Sequence, residues 1–123
     1  MLRGFRPGGG LARSGELTSI LAGRSAHIGT LARWIVQGEV IHLDWQHDTW
    51  LPVFQFGRPE FAPSAAVKRV LDEFRGVLDP WDSAYWFASP SAALGGRTPA
   101  QALEADAELV FEAARLYRYG VDA

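Results

Sequence analysis

The stretch Ser89–Leu103, SPSAALGGRTPAQAL, decides how the C-terminal half of this chain is read. Leu94 has the character of a helix-end hydrophobe. Gly95 and Gly96 follow it, and glycine takes the positive-φ conformations that end a helix without steric cost. Thr98 and Gln101 have the spacing of a capping box, in which each side chain satisfies a backbone N–H left unpaired at a helix start. Pro99 falls at the first helical position, where its missing N–H does no harm. The stretch therefore predicts a helical stop, a double-glycine corner and a new helix opened by Thr98.

The same grammar extends outward. The helix after Thr98 is expected to run to Tyr119, kinked near Ala105-Asp106 and stopped by Gly120. Leu109, Val110, Ala113, Leu116 and Tyr117 form its apolar face, and Phe111 points away from it, toward Arg115 and Arg118. Upstream, Asp79-Pro80 opens a short helix, DPWDSAYWF, whose Trp81, Trp86 and Phe87 are expected to pack in the core. Ser64 caps a helix to about Val77, with Val67, Val70, Leu71, Phe74 and Leu78 as its buried stripe. Val40–Trp45 and Trp50–Phe56, on either side of the polar turn Gln46-His47-Asp48, read as a β-hairpin, and Pro52 suggests an edge position for the return strand. Gly15–Ala22, capped by Ser14, and Ser25–Gln37, stopped by Gly38, are two helices joined by a tight turn at Gly23. Short helix, turn and second helix is helix-turn-helix grammar.

The expected fold class is therefore mainly α, an abbreviated helix-turn-helix with a β-hairpin wing followed by a small helical bundle. Residues 1–13, rich in Gly and Arg, are expected to be a flexible tail. Residues 14–58 form the helix-turn-helix-like unit, and residues 59–123 the helical domain.

Composition narrows the classes of function. The 123 residues contain no cysteine, which excludes disulfides and Cys-based zinc sites. No apolar run approaches a membrane span, and the opening MLRGFRPGGG lacks the apolar core of a signal peptide. A cytoplasmic location without membrane contact is the expectation. The net charge of −2 conceals an asymmetry. Residues 1–38 carry five arginines against one acid, Glu16, whereas residues 39–123 carry seven basic and thirteen acidic side chains. Such a split fits two surfaces with different partners, a basic one for nucleic acid and an acidic one for protein.

A series of short motifs carries a more specific reading. PVFQF (Pro52–Phe56), a helix, DPW (Asp79–Trp81), YWF (Tyr85–Phe87) and LGGRTP (Leu94–Pro99) occur in that order. The series resembles the C-terminal toxin-binding domain of the Xre/MbcA/ParS antitoxin family. The segment from Gly15 to Trp45 is similar to the DNA-binding-like unit that precedes this domain in some members, here in abbreviated form. The resemblance implies a non-catalytic protein without a cofactor. Its partner would be a cognate RES-domain toxin, an NAD-degrading enzyme whose active site the antitoxin occludes. It also implies a homodimer or larger assembly and, in members with a working DNA-binding unit, repression of their own operon through operator DNA. The alternative is a stand-alone DNA-binding transcriptional regulator, favoured by the basic first third.

Candidate contacts follow from both readings. Arg97, exposed at the corner, has the fork to grip either a partner carboxylate or an acid of its own domain. Phe111, with Arg115 and Arg118 beside it on a polar helix face, has the composition of an interface anchor, or packs against the N-terminal unit or a sister subunit. Tyr119 and the tail containing Asp122 would reach into the toxin cleft, as the resemblance implies. For DNA, Thr30 and Arg33 are placed to read bases, with Arg24 and Gln37 on phosphates. His27, His42 and His47 have no metal-ligand spacing, and no nucleophile–base set is placed by any motif. The residues give an enzyme reading no support.

Overall fold

The structure, a computed structural model, describes residues 2–6, 9–23, 30–57 and 62–120. It is mainly helical, with a three-stranded antiparallel sheet. A short helix α1 (Leu2–Phe5) leads into strand β1 (Leu11–Arg13), then α2 (Ser14–Gly23) and α3 (Thr30–Val36). The hairpin follows as β2 (Leu43–Trp45) and β3 (Asp48–Pro52). A 3-10 turn (Val53–Gln55) leads to the small ladder of β4 (Phe56–Gly57) and β5 (Ala62–Pro63). The C-terminal half is α4 (Ala65–Phe74), α5 (Pro80–Ala88), a 3-10 turn (Ala92–Leu94), α6 (Pro99–Ala102) and α7 (Ala107–Arg118).

The sheet is ordered β1-β3-β2. Gln46 and His47 form the two-residue hairpin turn, both with positive φ (50° and 68°), the backbone that matches the right-handed twist of flanking strands. The return strand is central, which corrects the edge placement drawn from Pro52. Proline is tolerated because it ends the strand, opposite Leu11, and the pairing resumes through the Val53 N–H donating to the Gly10 carbonyl (2.9 Å).

The neighbour that makes β3 central comes from the segment expected to be a flexible tail. That expectation is also corrected. Phe5 is fully buried and stacks on Phe54 (5.5 Å between centroids), which in turn tilts against Phe87 (5.2 Å). Gly4 allows this docking, since a Cβ there would overlap the Ala88 carbonyl oxygen at the end of α5. One phenylalanine among glycines and arginines was too weak a signal against that composition.

The alternation of the strands separates two cores. Ala12 and Leu51 face α2 and α3, where Leu17, Leu21, Leu31, Val40 and Phe56 close a small core. Leu11, Leu43 and Trp50 face the opposite way, toward the larger core of the helical bundle. That core is built on the stripe Val67, Val70 and Phe74 of α4, on Ala84, Trp86 and Phe87 of α5, on Leu94, and on Val110, Ala113 and Ala114 of α7. Trp81 is corrected: it remains 42% exposed, because only the later part of α5 is covered.

Caps follow the local grammar. Ser64 accepts from the Val67 N–H, and Asp79 from the Asp82 N–H (2.8 Å). The Thr98–Gln101 capping box is formed reciprocally, and Gly95 and Gly96 hold φ of 67° and 87°. Residues 103–106 break the expected long helix into α6 and α7, with Asp106 opening the second.

Gln55 joins the two cores. Its side chain is fully buried in a segment where Phe54 packs against one core and Phe56 lies in the other. Its Oε1 accepts from the Ile41 N–H (2.6 Å), and its Nε2 donates to the carbonyls of Ile41 (2.9 Å) and Pro52 (3.0 Å). Gln55→Met keeps the shape and strands these backbone groups without partners. It is expected to cost about 3 kcal/mol in urea-induced unfolding; a loss below about 1 kcal/mol would mean that the three bonds add little net stability.

Candidate functional site

The corner read from Ser89–Leu103 is held by its arginine. Arg97 Nε donates to the Leu94 carbonyl (3.0 Å), and its guanidinium pairs with Asp106 (2.8 Å) at the start of α7. Of the two uses open to Arg97, an acid of its own domain is the one realised. The guanidinium ties the double-glycine turn to the next helix and is occupied within the fold.

Phe111 is likewise engaged. It is half-buried, and the Arg69 guanidinium of α4 lies 3.8 Å from its ring centroid while pairing with Glu108 (2.6 Å). The neighbour is Arg69 of the chain itself rather than Arg115 or Arg118, and the ring is covered rather than offered as an anchor. A cation–π contact across helices cannot be read from the periodicity of one helix. Arg118 donates to the Glu73 carbonyl (2.9 Å) and approaches its carboxylate (3.6 Å), fastening the end of α7 to α4. Arg115 remains exposed, with Glu112 at 3.9 Å. Tyr119 is exposed, and Arg118 lies 5.4 Å from its ring. Asp122 lies outside the described residues.

Three residues assigned to the apolar face of the last helix are only partly covered by the core, and this changes the site. Val110, Ala113 and Ala114 make the buried line of α7, and the two alanines let its neighbours come close. Leu109, Leu116 and Tyr117 are left about 40% exposed. Leu109 and Leu116 are two turns apart on one side of the helix. Tyr117 rests edge-on against Phe74 (6.1 Å) and, with Tyr85, Ala92 and Ala93, frames a shallow cleft of about 280 Å³ beside the corner. Leu109 and Leu116 thus form an exposed apolar pair on α7, Tyr117 faces Tyr85 across the cleft, and Tyr119 is exposed just past the end of the helix. The apolar positions were visible in the sequence. Which of them stay outside depends on how α7 is rotated onto the bundle.

On the N-terminal unit, Arg24 lies outside the described residues. Thr30 is corrected: it is buried, so it is not placed to read bases. Trp34 packs against Phe56 (6.1 Å) and Ala32 is exposed, so the buried face of α3 is turned from the one its periodicity suggested. Arg33 and Gln37 are exposed. Among the described residues no cluster of His, Asp or Glu is arranged to hold a metal ion, and no helix is long and apolar enough to cross a membrane.

No family model, curated protein or solved structure matches the chain.

Arg97→Ala removes both the Leu94 bond and the Asp106 pair. It is expected to lower unfolding stability by about 1–2 kcal/mol. Arg97→Lys should recover only part of this loss, because an ammonium cannot span both acceptors. Full stability in Arg97→Ala, measured by thermal and urea unfolding, would remove the arginine from its place as the fastener of the corner.

Proposed function

We propose that this chain is an antitoxin that binds a cognate RES-domain, NAD-degrading toxin and covers its active site. The observation that carries the reading is the exposure of Leu109, Leu116 and Tyr117 on the last helix, of Tyr119 just after it and of Tyr85 across the cleft from Tyr117. Tyrosines backed by a rigid core bury large area at small entropic cost, which is the composition of interface hot spots. The ordered series PVFQF, DPW, YWF and LGGRTP supplies the kind of partner. With Arg97 and Phe111 engaged inside the fold, contact with the toxin falls to these residues, to Arg115 and to the tail beyond Gly120. The protein acts in the cytoplasm, where NAD is consumed, and as a homodimer.

Co-expression with the product of the adjacent gene, followed by pull-down and an NAD assay, tests the reading. A stable complex that silences NAD loss is expected. The double variant Leu109→Asp, Leu116→Asp should abolish capture while leaving the melting temperature within a few degrees, since both side chains are already partly in water. Undiminished capture by that variant would overturn the proposed contact, and absence of any complex would overturn the antitoxin reading.

The second reading is DNA binding by the N-terminal unit, with α2 and α3 as an abbreviated helix-turn-helix and the β2–β3 hairpin as its wing. Its support is the exposure of Arg33 and Gln37 on and just after α3. Each phosphate contact contributes about −0.9 to the slope of log K against log salt. Arg33→Ala should therefore reduce the slope for the chain's own upstream DNA by about 0.9, as read by fluorescence anisotropy. An unchanged slope, or no binding by the protein alone, would exclude the contact.

A further inference from the structure

The bundle does not cover the whole of the sheet face it packs against. Beyond the edge of the larger core lies a cleft of about 560 Å³, lined chiefly by Arg6, Leu11, Leu43, Trp45, Trp50 and Trp81. Leu11, Leu43 and Trp50 form its floor on the sheet. Trp45 near the hairpin turn and Trp81 on the first turn of α5 flank it, 56% and 42% exposed. Three of the five tryptophans of the chain are thus gathered at one opening, and two of them are about half exposed. The volume is in the range of small-molecule sites, which are mostly apolar with a few polar groups that set orientation.

Among the described residues the charge at this opening has one sign: Arg6 is the one charged residue of these that lines it, and the Arg13 guanidinium lies 5.1 Å from the ring of Trp50. Asp44 and Asp48, the acids of the hairpin, do not line it, and Asp44 is engaged by the Thr49 hydroxyl (2.8 Å). Three indoles alone would also suit a quaternary ammonium, held by cation–π attraction. A guanidinium at the opening repels such a cation and attracts an anion. Indole faces favour a flat, unsaturated ring over a bulky aliphatic group.

We infer that this cleft is a binding site for a small, planar aromatic anion, its ring held among Trp45, Trp50 and Trp81 and its negative group directed to Arg6. Both an aromatic carboxylate and a nucleoside monophosphate have this chemistry. The residues that line this cleft are not those proposed for the toxin, and the inference does not depend on that reading.

Two anionic probes, 2-naphthoate and AMP, and one cationic probe, 2-naphthylmethylammonium, are titrated into the full chain. Binding is read by calorimetry and by the five indole N–H resonances in a nitrogen-15 correlation spectrum. At least one anion is expected to bind, with shifts concentrated on Trp45, Trp50 and Trp81, and the cation at least tenfold more weakly. The anion that binds identifies the source as carboxylate or phosphate. Arg6→Ala and Trp81→Ala should each weaken binding at least tenfold. Both sites are open to solvent, and thermal melts establish that the variants fold. Leu116→Asp should leave the affinity unchanged. Silence with both anions, equal affinity for the cation, or an unaffected Arg6→Ala variant would each overturn the assignment.

Discussion

The buried amide of Gln55 is the junction on which the rest of this structure depends. A strand has two faces, and here each supplies a different core: Leu51 goes to the small N-terminal core, Leu43 and Trp50 to the helical bundle. The chain leaves the sheet through Phe54, Gln55 and Phe56, with the two rings turned to the two cores. Between them the backbone of Ile41 and Pro52 runs through a region without solvent, where unpaired polar groups are costly. One side chain with both a donor and an acceptor pairs both polar groups of Ile41 and the carbonyl of Pro52. No aliphatic residue supplies those bonds.

Three arginines hold the C-terminal half together at its surface. Arg97, Arg69 and Arg118 are each engaged within the domain, on Asp106, on Glu108 and Phe111, and on Glu73. They fasten the corner and the two longest bundle helices to each other at their solvent edges. Pairs this exposed contribute modestly one by one, but they orient α7 on α4. With that orientation set, Val110, Ala113 and Ala114 fill the contact, and Leu109, Leu116 and Tyr117 are left partly outside. The proposed docking residues of α7 and its packing thus have one origin.

Local grammar was legible wherever a residue acts on its immediate neighbours. The Thr98–Gln101 box, Pro99 at the helix start, the positive-φ glycines and the Ser64 and Asp79 caps depend on contacts within a few residues, which a linear reading contains. The hairpin was legible for the same reason. The role of the first thirteen residues was not, because Phe5 and β1 gain their partners across a long sequence separation. The direction of Phe111 was misread because its partner, Arg69, lies on another helix. Thr30 was misread because the packing of Trp34 on Phe56 turns α3.

By itself the sequence determined the mainly helical class, most element starts and stops and the bundle stripe of α4. Each is a statement about propensity, capping or periodicity, which are short-range properties. The tertiary structure alone decided that β3 is central, that Arg97 closes its own corner, which apolar residues of α7 stay exposed, and that Trp45, Trp50 and Trp81 open onto one cleft. These depend on which surfaces meet when the chain closes. A helix or strand with more apolar positions than one neighbour can cover does not reveal in its own sequence which of them will be left over.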